Sequence, residues 1–151
     1  MPVATLDTPV GRLAVSARDD AIVALDWSGE DEGARTPLLV EALGQLKAYF
    51  SGTLKAFDLP LAPRGAAFHQ QVFAAMSAIP YGQTRTYGEI AAALGTCGQP
   101  VGQACGANPI PVIIPCHRVL SAQGLGGYSG AGGLETKIAL LKLEGGYPFL
   151  V

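Results

Sequence analysis

The sequence predicts an α/β N-terminal unit, a small three-stranded sheet plus a helix, followed by a mostly α unit with a winged-helix-like helix-turn-helix. Three observations carry this expectation. Short segments alternating with period two occupy residues 3–27, helical periodicity takes over after residue 65, and Ala62-Pro63-Arg64-Gly65 between them has the composition of a linker. The expected units are therefore 1–64 and 65–151. With 151 residues and 49% hydrophobic content, the chain can bury one proper core and a smaller second one.

Each element has its own signal. Val3 to Leu6 and Arg12 to Ser16 alternate around Thr8-Pro9-Val10-Gly11 and predict a hairpin, and Ala21 to Trp27 supplies a third strand. From Leu38, the spacing of Leu39, Ala42, Leu43, Leu46, Tyr49 and Phe50 predicts a helix that Ser51-Gly52 stops. Phe57-Asp58-Leu59-Pro60-Leu61 reads as a further strand. Beyond the linker, Phe68, Val72, Phe73 and Met76 share one helical face, ended by Ile79-Pro80-Tyr81-Gly82. Thr84 or Thr86 is expected to cap a helix over Tyr87 to Leu94, with Ile90, Ala91 and Leu94 inward. After the Gly95-Thr96-Cys97-Gly98 turn, Pro100 suits the first position of a helix through Val101, Ala104 and Cys105, closing near Asn108-Pro109. These two short helices fit a helix-turn-helix or an ordinary helical hairpin. Residues 124–133 form a glycine-rich loop with no Lys-Ser or Lys-Thr pair, so a phosphate-binding fingerprint is excluded. Leu134 to Leu143 reads as a last helix, with Leu134, Ile138 and Leu141 inward and Glu144 at its end.

Composition narrows the function classes. The formal net charge of −2 points to no general polyanion partner. Residues 1–64 carry nine acidic and six basic side chains, and residues 65–151 carry three and four, so any nucleic-acid contact falls to the second half and neutralises few phosphates. Cys97, Cys105 and Cys116 fit neither a paired framework nor a C-x-x-C motif. The expectation is a reduced, cytoplasmic protein without a signal peptide or membrane span, with Cys97 and Cys105 as buried small apolar residues.

The main functional clue is Pro115-Cys116-His117-Arg118, reached through Ile110-Pro111-Val112-Ile113-Ile114. It sets a potential nucleophile beside a potential base at the end of a buried segment. A thiol of ordinary pKa about 8.5 needs a neighbouring base or cation to become a thiolate, and His117 and Arg118 offer both influences. Equally, a buried structural cysteine beside a solvated His-Arg pair fits the same letters. Glu144 stands where the helix dipole disfavours a carboxylate, which points to a specific partner such as His117, or else to a solvated helix end.

The stretch from Asn108 to Val119 resembles the active-site signature of the O6-alkylguanine-DNA alkyltransferases, the methylated-DNA–protein-cysteine methyltransferases. Phe68-His69-Gln70-Gln71-Val72-Phe73, Ile79-Pro80-Tyr81-Gly82, Thr86-Tyr87-Gly88-Glu89-Ile90-Ala91, Val101-Gly102 and Leu140-Leu141-Lys142-Leu143-Glu144-Gly145 follow the family's order and spacing. The likeness covers essentially all of residues 65–151, with a fainter match at Thr8–Gly11 and Gln45–Gly52. The resemblance implies single-turnover, irreversible transfer of the alkyl group of O6-alkylguanine, and of O4-alkylthymine, from DNA to Cys116. The base would be flipped out of the duplex from the minor groove, because the reacting carbon cannot be attacked in line while stacked. His117 would deprotonate Cys116 through a water, Glu144 would orient His117, and Asn108 would hold the active-site turn. In the base pocket, Tyr87 would help extrude the nucleotide, Tyr128 and Ser129 would wall the site, main chain at Val119 would read the exocyclic amine, and Lys137 would lie nearby. DNA contacts would fall on Gln99, Pro100, Val101, Gly102 and Arg118. The implied partner is double-stranded DNA containing O6-alkylguanine, met by a monomer, with no membrane and no cofactor. Some relatives hold zinc in the first domain, but residues 1–64 contain neither Cys nor His, so no metal is expected.

Three departures bear on substrate delivery. Gln99 stands where the family usually has an arginine finger, the helix that follows has no Lys or Arg, and Pro100 replaces a small residue. The loop after Tyr128-Ser129-Gly130 is about two residues longer than the common pattern. Two alternatives therefore stand beside the repair reading. One is a cysteine acceptor acting on a free base, a single strand or another substrate. The other is a lesion-sensing alkyltransferase-like protein, although such proteins typically replace the cysteine that this chain retains.

Overall fold

The computed structural model describes residues 2–33, 35–128 and 130–146. Strands β1 (Val3–Thr8), β2 (Gly11–Arg18) and β3 (Ala21–Asp26) form an antiparallel sheet in that order. Helix α1 (Pro37–Phe50) packs against β1 and β2. Its start is built as the sequence requires: the Thr36 hydroxyl accepts the Leu39 N–H, and Pro37 occupies the first turn, where an amide donor has no helical partner. The buried stripe Leu39, Ala42, Leu46 and Tyr49 then runs down one face and delivers the Tyr49 ring to the centre of the protein.

Phe57–Leu61 departs from expectation. No strand forms there; one parallel bridge joins Leu61 to Ile22, with Ile22 N donating to Pro60 O and Ala62 N to Ile22 O, both at 2.8 Å. Proline at positions 60 and 63 removes donors on either side and prevents a longer ladder.

The second half contains α2 (Ala67–Ser77), α3 (Tyr87–Leu94), α4 (Gly98–Gly106) and α5 (Leu134–Glu144). Thr86, rather than Thr84, caps α3 in a reciprocal box with Glu89, and Gly95 ends the helix at φ 71°. Helix α4 starts two residues earlier than expected. Cys97 is its N-cap, so Pro100 sits third, still in the turn whose amides lack helical acceptors. Cys97 is exposed rather than buried, whereas Cys105 faces inward. On α5 the inward set is Thr136, Lys137, Leu140, Leu141 and Glu144; Leu134 is exposed and Ile138 only half-buried. Polar residues thus occupy the side that periodicity assigned to leucine and isoleucine.

Strands β4 (Arg85–Thr86) and β5 (Val119–Leu120) pair in parallel and tie the start of α3 to the chain just after Cys116. The buried apolar residues of both halves form one continuous cluster. Across it, Leu25 N donates to Pro109 O at 2.9 Å, and the Trp27 ring meets Tyr128 edge-on with centroids 6.3 Å apart. No helix among the described residues is long and apolar enough to cross a membrane.

Candidate active site

The segment 108–118 is a sharp, buried turn held largely by one asparagine. Asn108 Nδ2 donates to Ile114 O at 2.9 Å, while its Oδ1 accepts Ile110 N–H at 3.0 Å. Between them Val112 adopts φ 74°, a left-handed conformation that costs a β-branched residue about 1–3 kcal/mol and persists only when its surroundings enforce it. The turn delivers Cys116, His117 and Arg118 on one 3-10 turn, all buried.

Cys116 lines a cleft of about 450 Å³ together with Tyr87, Gly102, Cys105, Gly106, Gly127 and Tyr128. Burial pushes its thiol up to about 11, against weaker lowering by Asn108 and Lys137. At neutral pH the resting group is therefore a thiol, and attack by it requires a base.

The imidazole of His117, next in the chain, is held by Glu144. The Glu144 Oε2 lies 2.7 Å from His117 Nε2, and its Oε1 accepts Arg118 Nε–H at 2.8 Å. Arg118 also donates through Nη2 to Oε2 at 2.9 Å and through Nη1 to Ile79 O at 2.6 Å. Tyr49 Oη donates to Oε2 at 2.6 Å. Burial alone would raise the Glu144 carboxyl, but hydrogen bonds from His117 and Arg118 hold it far below its ordinary value. Burial lowers His117. A neutral imidazole facing an ionised carboxylate must carry its proton on Nε2, which leaves the Nδ1 lone pair free. Nδ1 is buried and has no hydrogen-bond partner among the described residues.

Lys137 is fully buried, and its Nζ donates to the carbonyls of Val119, at 2.6 Å, Leu125 and Gly127. Burial brings its pKa down to about 8. Its reach joins β5 to the glycine-rich loop. In that loop Gly126, at φ 72°, lies so close to Tyr87 that a Cβ would come within 3.2 Å of the tyrosine hydroxyl.

Cys116, His117, Glu144 and Asn108 thus converge, and Tyr87 and Tyr128 wall the same cleft. The hydroxyl of Tyr128 is buried without a partner among the described residues. Val119 is buried in β5 with its carbonyl taken by Lys137. Ser129 lies outside the described residues. On α4, Gln99 is exposed and Pro100 and Gly102 are half-buried. Two expected DNA contacts lie elsewhere. Val101 is wholly buried because it falls on the inward face of α4 with Ala104 and Cys105, and Arg118 is buried because its guanidinium neutralises Glu144. The sequence reading missed Tyr49 and the Arg118–Glu144 pairing, which join residues far apart in the chain. For Tyr49, the helical stripe that ends on it was the only trace. No cluster of three or more His, Cys, Asp or Glu suited to a metal occurs among the described residues.

Comparison with known proteins fits this arrangement. Residues 1–63 match the ribonuclease-like domain, and residues 67–146 the DNA binding domain, of 6-O-methylguanine DNA methyltransferase. The methylated-DNA–protein-cysteine methyltransferase of Methanosarcina acetivorans is 41% identical over 96% of this chain and 99% of its own length. The constitutive enzyme of that name from Bacillus subtilis is 41% identical over 93% of each chain. Among solved structures, Mycobacterium tuberculosis OGT in complex with DNA superposes with a TM-score of 0.86 at 41% identity, covering 96% of this chain and 93% of that one. With both halves matched in order and relatives above 40% identity along nearly the full length, the chain belongs to the 6-O-methylguanine DNA methyltransferase family.

Proposed function

We propose that this protein repairs alkylated DNA by direct reversal, acting as a methylated-DNA–protein-cysteine S-methyltransferase that takes the alkyl group of O6-alkylguanine onto Cys116. The observation that carries the assignment is the Cys116 thiol in a cleft, adjacent in sequence to a His117 that burial keeps neutral and whose tautomer is fixed by Glu144.

The chemistry follows from that geometry. An O6-alkylguanine flipped into the cleft presents its alkyl carbon to Sγ. The thiol proton passes to His117 Nδ1 through one water, and the developing imidazolium is stabilised by the Glu144 carboxylate. As the S–C bond forms, the C–O6 bond breaks and its electron pair stays on the guanine, which is then protonated, balancing the proton lost by sulfur. The thioether on Cys116 is a poor leaving group, so each molecule reacts once. Tyr87 and Tyr128 wall the base, Ser129 and the main chain at Val119 donate to and read its edge, and Asn108 holds the turn.

Duplex DNA is met through α4, by Gln99, Pro100 and Gly102. With no Lys or Arg on that helix, few phosphates are neutralised and duplex affinity is weak. We take residues 1–64 as the supporting unit and 65–151 as the transferring unit. One thiol and one base suffice per lesion, consistent with a monomer, and a free thiol nucleophile suits a reducing cytoplasm.

Intact-protein mass spectrometry after incubation with an O6-methylguanine duplex tests the assignment. One methyl per protein on Cys116, lost in Cys116→Ala, is expected, and no adduct at high DNA concentration would overturn it. Gln99 favours one competing reading, a cysteine acceptor acting on the free base. Equal rates from free O6-benzylguanine and from duplex would support that alternative.

A further inference from the structure

The Glu144 carboxylate is shared between the two halves of the protein. Its Oε2 receives three donors: His117 at 2.7 Å, Arg118 at 2.9 Å and, from α1, the hydroxyl of Tyr49 at 2.6 Å. Tyr49 is wholly buried and stands 95 positions from Glu144 in sequence. Its ring is held by Phe50, Phe57 and Tyr81, with centroids 5.1, 5.3 and 6.2 Å away. The hydroxyl therefore has little freedom to leave the carboxylate.

We propose that Tyr49 is a positioning residue for alkyl transfer: its hydroxyl fixes Glu144 Oε2 and draws off part of its charge, keeping His117 neutral with Nδ1 free to take the thiol proton. The transfer step rests on the reaction assigned above; the effect on His117 does not. Each donor to an ionised carboxylate lowers its basicity. Without the Tyr49 hydroxyl, Oε2 attracts the His117 proton more strongly, the imidazolium is favoured, and the pKa of His117 rises. The other charged or titratable groups facing this pair are Arg118 beside it, Lys137 from α5, the Cys116 thiol, and Tyr81, whose ring also lies 5.8 Å from Arg118 and from Lys55 Nζ. Arg118 and Lys137 both oppose the imidazolium, so the tyrosine hydroxyl adds to an existing bias.

The test compares Tyr49→Phe with Phe57→Leu, which loosens the same aromatic packing but keeps the hydroxyl. Single-turnover transfer to Cys116 is followed against pH, and the two histidines, His69 and His117, are titrated by ¹⁵N NMR with His69 as internal reference. Tyr49→Phe is expected to slow transfer about tenfold and to move the rising limb of the profile and the His117 midpoint to higher pH by about half a unit. Phe57→Leu is expected to shift neither midpoint. An unshifted His117 midpoint in Tyr49→Phe, or an equal shift in Phe57→Leu, overturns the positioning role. If the parent protein transfers no alkyl group, the reaction assignment fails, while the NMR titration still decides the role of Tyr49.

Discussion

Arg118 grips Glu144 with a two-pronged fork, Nε to Oε1 at 2.8 Å and Nη2 to Oε2 at 2.9 Å, and both side chains are almost fully buried. The planar guanidinium matches the carboxylate, and its remaining reach is fixed on Ile79 O. The arginine of the Pro115-Cys116-His117-Arg118 tetrapeptide is therefore committed to Glu144 in the interior rather than exposed at the surface.

Removing one member of such a pair leaves an uncompensated buried charge. Arg118→Met is expected to lower stability by about 3–5 kcal/mol, read as a lower midpoint in urea unfolding. A change within about 1 kcal/mol would mean that the pair contributes little.

Glu144 makes stability depend on acid in a defined window. Its folded pKa lies below the ordinary 4.5, so its contribution is complete above about 4.5 and is lost as pH falls towards about 2. The stability gap between the parent protein and Glu144→Gln should be widest above pH 4.5 and narrow as pH falls through that window. Unfolding curves at pH 7, 4 and 3 check this, and a gap independent of pH would refute it.

Lys137 satisfies three carbonyls of the cleft wall at once. Lys137→Met keeps much of the side-chain volume but removes the shared donor, at a cost of about 1–3 kcal/mol for each carbonyl left buried without a partner. Faster hydrogen exchange in residues 124–128 and slower transfer are expected. Unchanged exchange would show that the loop is held by other contacts.

Gln99 stands exposed in the first turn of α4, beside no cation of that helix. Gln99→Arg is expected to speed transfer from duplex DNA several-fold, with a smaller effect on free O6-benzylguanine, because a guanidinium both stacks and pairs better than an amide. Slower transfer from duplex would mean that the site is adapted to a different substrate.

The sheet, α1, α3 and the Cys116-His117 adjacency were legible because their signals are local: alternation around a Pro-Gly turn, a helical stripe, the Thr86 cap, and a thiol next to an imidazole in the chain. Even the Glu144 pairing left a trace in its unfavourable place at a helix end. Periodicity failed on α5, where Lys137 and Glu144 face inward because each finds buried partners strong enough to offset its desolvation. The DNA contacts that the resemblance implied at Arg118 and Val101 failed for another reason: both residue types fit a DNA surface as well as an interior, and both side chains are buried.

By itself, then, the sequence determined most of the elements and the adjacency of the Cys116 thiol to the His117 imidazole, since these depend on neighbours within a turn or two. Only the tertiary structure decided which charges are spent inside. Burial makes an unpaired ion costly, so Glu144 must draw in Arg118 and Tyr49 from other elements, and Lys137 must find carbonyls of the loop. Such pairings are fixed by distance in space, which no spacing along the chain records.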